Sequence, residues 1–405
     1  MIKTGIDIIE ISRFEQMKNL DTFLKHFFTL RERQYLDTLA HPTKSIAASF
    51  AAKEAFAKYM GSGFRGFGPK DIEVLHDELG KPYILFLRRP VNADVSLSHS
   101  GDSAVAVVCG EENPLGRYAD MIKSYRSLLP KRRPDMNKGD CGRVLIIAGS
   151  MGMAGAACLC ADGAIRCGSG LVTLALPEVI QPTAAVKLTE VMTLPLPCED
   201  GILSASATDT LADKLKACDV CAIGPGIGKS QGAKELLRKV LMGSAPCVID
   251  ADGLNMIAED LSILSLRKCE AVITPHPGEM SRLTGKTVKE IEADRKGAAK
   301  EFAKEHGVYV VLKGHETVIA SPLGEVHITN SGNSGMASGG MGDVLCGVIA
   351  SLLGQGLSPF NAAALGVFAH GLAGDMAADE KGEFGMIASD VIEKLPYVLK
   401  ELARS

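Results

Sequence analysis

Residues Asn330–Gly347 read NSGNSGMASGGMGDVLCG. Glycine and small polar residues dominate up to Gly342, and an apolar segment follows, so a glycine-rich stretch leads into a helix. The first turn of a helix leaves its amides without internal acceptors and carries the positive end of the helix dipole. The amides of Gly339, Gly340, Met341 and Gly342 are thus placed to face an anion, with no side chains in the way at the glycines. Asp343 falls in the first turn. Two readings of it are open: a charge that stabilises the helix start, or a base that takes a proton from a hydroxyl attacking phosphorus.

From about Asp140 onward the pattern alternates strand and helix for some 260 residues: GRVLIIAG, an Ala/Gly-rich helix, LVTLALP, then VCAIGPG, CVIDADG, AVITPHPG and VYVVLKG. Repeated βα units predict an α/β domain on a mostly parallel sheet, with ligands at the carboxyl ends of the strands. Two look-alikes fail on spacing. GPGIGKS, from Gly224 to Ser230, has one residue too few for a P-loop, and Gly149, Gly152 and Gly155 are not spaced as a dinucleotide fingerprint. Asp250 and Asp252 either cap the next helix or serve a site, and His276, between two prolines, either bonds a turn or lines a pocket.

The 405 residues are 46% hydrophobic and 23% charged, which predicts a soluble globular chain of two or three domains. A net charge of -4 gives no global field for nucleic acid or an anionic membrane. The eleven cysteines are scattered, and Asp7 and Glu10 break the apolar start, so a reducing cytoplasm is expected. Cys218 and Cys221 form a C-x-x-C inside an apolar strand pattern, which argues against a redox or zinc pair. Val344–Gly374 contains no Asp, Glu, Lys or Arg, but Gly354, Gly356 and Pro359 divide it into two buried helices rather than a membrane span.

The first 112 residues differ in kind. KTGIDIIEI alternates like a strand, SIAASFAAKEAFAKYM has helical spacing, and DIEVLHD, PYILFL, VSLSHS and AVAVVC read as strands of an antiparallel sheet, an α+β pattern. Residues 113–135 form a polar, basic, proline-containing linker with a short helix around Asp120–Leu129, and 136–405 form the second domain. Asp7 sits mid-strand among apolar residues. Glu54 and Lys58 lie one turn apart on one helix face. Two carboxylates with few other protein ligands suit Mg²⁺, while the alternative is a salt bridge to Lys58 or Arg13.

The motifs KGDCGRVLIIAGSMGMAGA, GPGIG, VIDADGLN, TPHPGEM, VLKGHETVI and NSGNSGMASGGMGDVLCG occur in the order seen in NAD(P)H-hydrate dehydratases of the ribokinase-like superfamily, which residues 137–375 resemble. The resemblance implies repair of NADHX and NADPHX: a nucleotide, ADP or ATP, phosphorylates the ring hydroxyl and phosphate elimination restores the C=C bond. It makes Asp343 the base and Gly342 part of the anion hole. Lys313, Gly314, His315, Glu316 and Thr317 become nucleotide contacts, and Ala154, Gly226 and His276 line the hydrate pocket. The epimerase domain often fused upstream in that family is not visible. A kinase of a small alcohol on the same fold is the rival reading.

GIDIIEISRF, FAAKEAFAKYMGSGFRGF, DIEVLHDELGKPY and VSLSHSGDSAVAVV resemble holo-acyl-carrier-protein synthase across residues 1–110. This implies transfer of 4′-phosphopantetheine from coenzyme A to a serine of acyl carrier protein by a trimer with sites between subunits. By the resemblance Asp7 and Glu54 are metal ligands, Lys58 a phosphate contact and His99 part of the coenzyme A pocket. Arg13, Lys25, Arg31 and Arg33 are the expected patch for the acidic carrier. The rival here is a non-catalytic carrier-binding or trimerisation module.

Overall fold

In a computed structural model the described residues are 2–61, 63–65, 67–86, 89–91, 93–111 and 119–404. The chain divides into two compact units, 1–116 and 117–405. The proposed domain edge at 112 and linker residues 113–118 lie outside the described residues.

In the first unit the strand Ile2–Glu10 pairs antiparallel with Ser103–Glu111, which pairs with Ala93–Ser100. The helix Pro42–Tyr59 packs on one face of this sheet and buries a run of alanines with Ile46, Phe50 and Phe56. Gly5 makes the approach possible, since a Cβ there would stand 1.9 Å from the Ala55 carbonyl oxygen. The single antiparallel sheet read from sequence is in fact two. Ile72–His76 and Pro82–Phe86 close a separate hairpin, completed by Arg89–Pro90. Its turn is held by Asp77, whose Oδ1 accepts from the amides of Leu79 and Lys81 at 2.9 and 2.8 Å.

Lys53 is fully buried, and its Nζ donates to Glu32 Oε2 at 2.9 Å and to the carbonyls of Pro69 and Ile72. Glu32 in turn accepts from the amides of Val74 and Thr29. Burial pulls the lysine pKa down, against the carboxylate that raises it. A buried pair survives only when its remaining donors and acceptors are met, and here one pair ties together three segments of the unit.

In the second unit a nine-stranded sheet has the order Val326–Thr329, Thr317–Ala320, Tyr309–Leu312, Ala271–Ile273, Cys247–Ile249, Val220–Ile223, Arg143–Ile147, Leu171–Pro177, Met192–Leu196. The seven strands from Tyr309–Leu312 onward are parallel, and the first two add antiparallel at one edge. Short apolar strands buried on both faces explain the continuous Val/Ile runs. Val344–Gly374 forms two buried helices, Met341–Gly354 and Pro359–Lys381, as the glycine and proline breaks predict. No helix among the described residues is long and apolar enough to cross a membrane.

The helix Met341–Gly354 is seated by backbone contact. A Cβ on Gly347 would lie 1.9 Å from the Cys160 carbonyl, and one on Gly163 would lie 2.6 Å from that of Val344. This crossing with the helix Ala154–Arg166 fixes where the first turn points. The helix Ala119–Arg126, read from sequence as linker, packs within the second unit. Tyr125 stacks on Phe368 with ring centres 4.1 Å apart, and its hydroxyl meets His327 and Thr329 of the edge strand.

Candidate active sites

In the second unit the predicted residues gather at the carboxyl ends of the parallel strands. Gly340 adopts φ +91° and ends the glycine-rich stretch, and the first intrahelical bond runs from Val344 N to Gly340 O at 3.1 Å. The amides from Met341 to Asp343 therefore have no acceptor inside the helix. Lys313, just past its strand, donates to Asp250 Oδ1 at 2.6 Å and lies 3.8 Å from Glu279 Oε2. Gly342 sits against this pair, because a Cβ there would be 3.2 Å from Lys313 Nζ and 3.5 Å from Asp250 Oδ2. Burial, with the nearby carboxylates of Asp250, Glu279 and Asp252, pushes the Asp343 carboxyl up to about 7, against the pull of Lys313. A carboxyl so placed can take up a proton near neutrality.

Asp250 is not a helix cap; its buried side chain holds the lysine. Asp252 opens the helix Asp252–Glu259, and its Oδ2 accepts from Gly228 N at 3.0 Å. Ala251 between them has φ +52°, a costly conformation for a residue with a side chain, which turns one carboxylate to the lysine and the other to the Gly224–Gly228 loop. His276 does bond a turn: its Nδ1 accepts from the amides of Gly278 and Glu279 at 3.0 and 3.3 Å, and Glu279 accepts from the His276 amide. Burial, then Lys313 and Arg282, hold the imidazole pKa down, so the neutral ring carries its proton on Nε2. Burial, the largest effect, pushes the Glu279 carboxyl up.

Gly226 packs against the start of the helix that Ala154 opens. A Cβ on Gly226 would come 2.9 Å from Met153 Cβ and 3.1 Å from Ala156 Cβ, and Ser150 Oγ donates to the Gly226 carbonyl at 2.8 Å. Gly314, His315 and Glu316 are exposed in the turn between Tyr309–Leu312 and Thr317–Ala320, and Thr317 Oγ1 donates to Gly314 O at 3.0 Å. Arg295 braces this turn from behind, donating to the carbonyls of Leu312 and Lys313 at 3.0 and 3.1 Å.

In the first unit Asp7 and His99 point to the sheet face that the helix covers: Asp7 faces Ala106 and then Leu97, and the next row is Ile9, Ala104 and His99. Lys58 Nζ donates to Asp7 Oδ1 at 2.8 Å and to Ile6 O at 3.0 Å. Burial first and the Asp7 carboxylate second push the Glu54 carboxyl up, with Lys58 opposing. The salt bridge and the carboxylate pair thus coexist. Of the predicted basic patch, Arg13 is exposed, while Lys25 is bound to Asp21 and Arg31 to Glu73. Arg33 is half-buried, and its Nε meets no acceptor among the described residues. Lys25 and His26 rim a recess floored by Met17, Phe23 and Phe27.

Sequence reasoning missed Glu279, Arg295, Asp375 and Lys53 as organisers. Glu279 was legible as the N3 residue of a capping box whose N-cap is His276. Asp375 was a lone carboxylate closing a charge-free run, and it holds the glycine-rich loop by accepting from Gly332 N at 2.9 Å and Asn333 Nδ2 at 3.1 Å.

A mostly parallel sheet with a glycine-rich helix start and an aspartate at its carboxyl edge defines the ribokinase-like class. A ribokinase-like superfamily protein from Enterococcus faecalis superposes with a TM-score of 0.60 at 26% identity, over 70% of this chain and 95% of that one. Residues 144–397 match NAD(P)H-hydrate dehydratase, and the chain belongs to that family. Residues 3–109 match the 4′-phosphopantetheinyl transferase superfamily. A bifunctional NAD(P)H-hydrate repair enzyme from Moorella thermoacetica is 47% identical over 279 residues, 68% of this chain and 53% of the relative. The chain thus spans about half the length of the first such relatives. The ADP-dependent (S)-NAD(P)H-hydrate dehydratase of Neisseria meningitidis is 35% identical over 68% of this chain and 90% of its own length. The ADP/ATP-dependent NAD(P)H-hydrate dehydratase of Bacillus subtilis, co-crystallised with ATP/Mg²⁺, gives a TM-score of 0.60 at 30% identity, over 69% of this chain and 97% of its own.

Proposed function

We propose that the chain carries two activities, nucleotide-dependent dehydration of hydrated NADH and NADPH in the second unit and phosphopantetheine transfer in the first. The observation that carries the first activity is a carboxylate poised near neutrality at the amide-rich start of the helix Met341–Gly354, beside the Lys313–Asp250 pair. Asp343 takes the proton of the ring hydroxyl as its oxygen attacks the terminal phosphorus of the nucleotide, and the P–O bond to the remaining nucleotide breaks. The helix-start amides hold the transferred group as its charge spreads. Phosphate then leaves with the C–O bond electrons, a ring proton is lost, and the C=C bond is restored. His276, Ala154 and Gly226 line the side where the hydrate lies, and Lys313 with the Gly314–Thr317 turn meets the nucleotide. The relatives' dependence on ADP and their repair of hydrated dinucleotides support this reading, with ADP the favoured donor.

For the first unit, Asp7 and Glu54 form a carboxylate pair in which burial first and the Asp7 charge second raise Glu54, a donor set suited to a hard divalent cation such as Mg²⁺. Asp7 and Glu54 would hold the ion, with water and substrate phosphate as its remaining ligands, since among the described residues there is no group of three or more acidic, His or Cys side chains that could hold a metal ion. Bound there, the ion neutralises phosphate charge. Lys58 contacts the phosphates and His99 the coenzyme A. The serine of apo acyl carrier protein attacks the pyrophosphate, and 3′,5′-ADP leaves. The sheet face away from the helix exposes Ile2, Ile6 and Ile8, which supports trimerisation through this unit. The test is to incubate the purified chain with NADHX and ADP or ATP, following NADH absorbance, and separately with coenzyme A, Mg²⁺ and apo carrier protein, following the mass of the carrier. NADH formation without nucleotide would remove the first reading, and an unmodified carrier the second.

A further inference from the structure

Arg282, on the helix Pro277–Thr284, carries a charge that the chemistry described above does not use. Its Nε donates to Asn255 Oδ1 at 2.9 Å. A neutral amide thus fastens the head, and among the described residues no carboxylate pairs with it and its Nη groups meet no acceptor. Asn255 in turn donates from Nδ2 to Asp252 Oδ1 at 3.3 Å, and Asp252 Oδ2 accepts from Gly228 N at 3.0 Å. One chain of hydrogen bonds therefore runs from the Gly224–Gly228 loop to the arginine. On its other side the arginine adjoins His276. A Cβ on Gly278 would stand 2.8 Å from His276 Cε1 and 4.0 Å from Arg282 Nη1, so imidazole and guanidinium flank the place where Gly278 has no side chain. The guanidinium charge reaches the ring, and after burial and Lys313 it helps to hold the imidazole pKa down.

A hydrated dinucleotide brings a doubly charged pyrophosphate into a site lined with carboxylates. Asp250, Asp252 and Glu279 would repel it unless a cation answered the charge. Lys313 is already engaged, donating to Asp250 Oδ1 at 2.6 Å and lying 3.8 Å from Glu279 Oε2. Arg282 is not, and both of its neighbours, His276 and the loop that contains Gly226, stand on the side where the hydrate lies. We propose that the Nη groups of Arg282 bind the pyrophosphate of the hydrated dinucleotide, an inference that rests on the dehydratase reading above. A guanidinium meets two phosphate oxygens at once. The Asn255 bond fixes the plane of that fork before substrate arrives, which lowers the ordering cost of binding. The pyrophosphate is remote from the reacting ring, so the contact holds ground state and transition state alike and acts on KM rather than on kcat.

The experiment is steady-state kinetics of the full-length chain, its Arg282→Ala variant and its Arg282→Lys variant, with NADHX, NADPHX and the nucleotide each varied in turn at low and high salt. The expected result for Arg282→Ala is a rise of about 10- to 100-fold in KM for both hydrates, with kcat and the nucleotide KM unchanged. The salt dependence of the hydrate KM should weaken in that variant. Arg282→Lys keeps the charge but not the bond to Asn255, so it should recover part of the KM and all of the salt dependence. An unchanged hydrate KM in Arg282→Ala overturns the inference and leaves the dehydratase reading standing. So does a rise with unaltered salt dependence, or an equal rise in the nucleotide KM, since the arginine would then only tie two helices together. A rise confined to NADPHX also overturns it and assigns the contact to the 2′-phosphate. If the unaltered chain forms no NADH from NADHX with any adenine nucleotide, the dehydratase reading falls and takes the inference with it.

Discussion

Replacing Asp343 with Asn keeps the size of the side chain and the start of its helix but removes both the charge and the basicity. The carboxyl rises from an ordinary 3.8 to about 7 in the folded chain. At about 1.4 kcal/mol per pH unit, its ionised form therefore costs the folded state about 4 kcal/mol. The folded chain holds this proton more tightly than the unfolded chain, so the contribution to stability is complete below pH 3.8 and is lost as pH rises through about 7. The Asn variant has no such loss. Its advantage in unfolding free energy should grow from about 2 kcal/mol at pH 5 to about 4 kcal/mol at pH 8.5. Turnover should move the other way: the unaltered enzyme gains rate as pH rises through about 7, and the variant loses about 10²- to 10⁴-fold. Denaturant unfolding at several pH values, with NADH formation from its hydrate at each, measures both. A stability gap independent of pH, or near-normal turnover, would show that Asp343 is only a charge at a helix end.

Asp7→Ala and Glu54→Ala should each abolish Mg²⁺-dependent modification of the carrier protein while NADH repair continues, and retention of transfer by both variants would refute the metal assignment. Lys53→Met should destabilise the first unit by about 3–5 kcal/mol, because it leaves Glu32 charged and buried. Adding Glu32→Leu should restore part of that loss in urea unfolding, and no recovery would mean the cost comes from packing instead. Arg295→Ala removes the donors behind the Leu312 and Lys313 carbonyls. It should raise the nucleotide KM by about tenfold, equivalent to about 1.4 kcal/mol, with little change in the KM of the hydrate; equal rises in both would point to a general loosening.

Much of this architecture is local and therefore legible in the chain itself. The alternation of short Val/Ile runs with helical segments predicts the parallel sheet, Gly354 and Pro359 predict the break between two buried helices, and Asn330–Gly347 predicts the glycine-rich helix start bearing Asp343. These follow from side-chain period, backbone freedom at glycine and the missing amide of proline, which act over a few residues. Tertiary structure decided what those residues meet. Asp250 and Lys313 are 63 positions apart, and only the ordering of their strands in one sheet brings them to 2.6 Å. The elevation of Asp343 is set by burial and by carboxylates arriving from other strand ends. The buried Lys53–Glu32 pair, the docking of the Ala119–Arg126 helix and the division of the first unit's strands into two sheets have the same origin. Charge coupling depends on distance through space and on water exclusion, and sequence spacing encodes neither until the chain has folded.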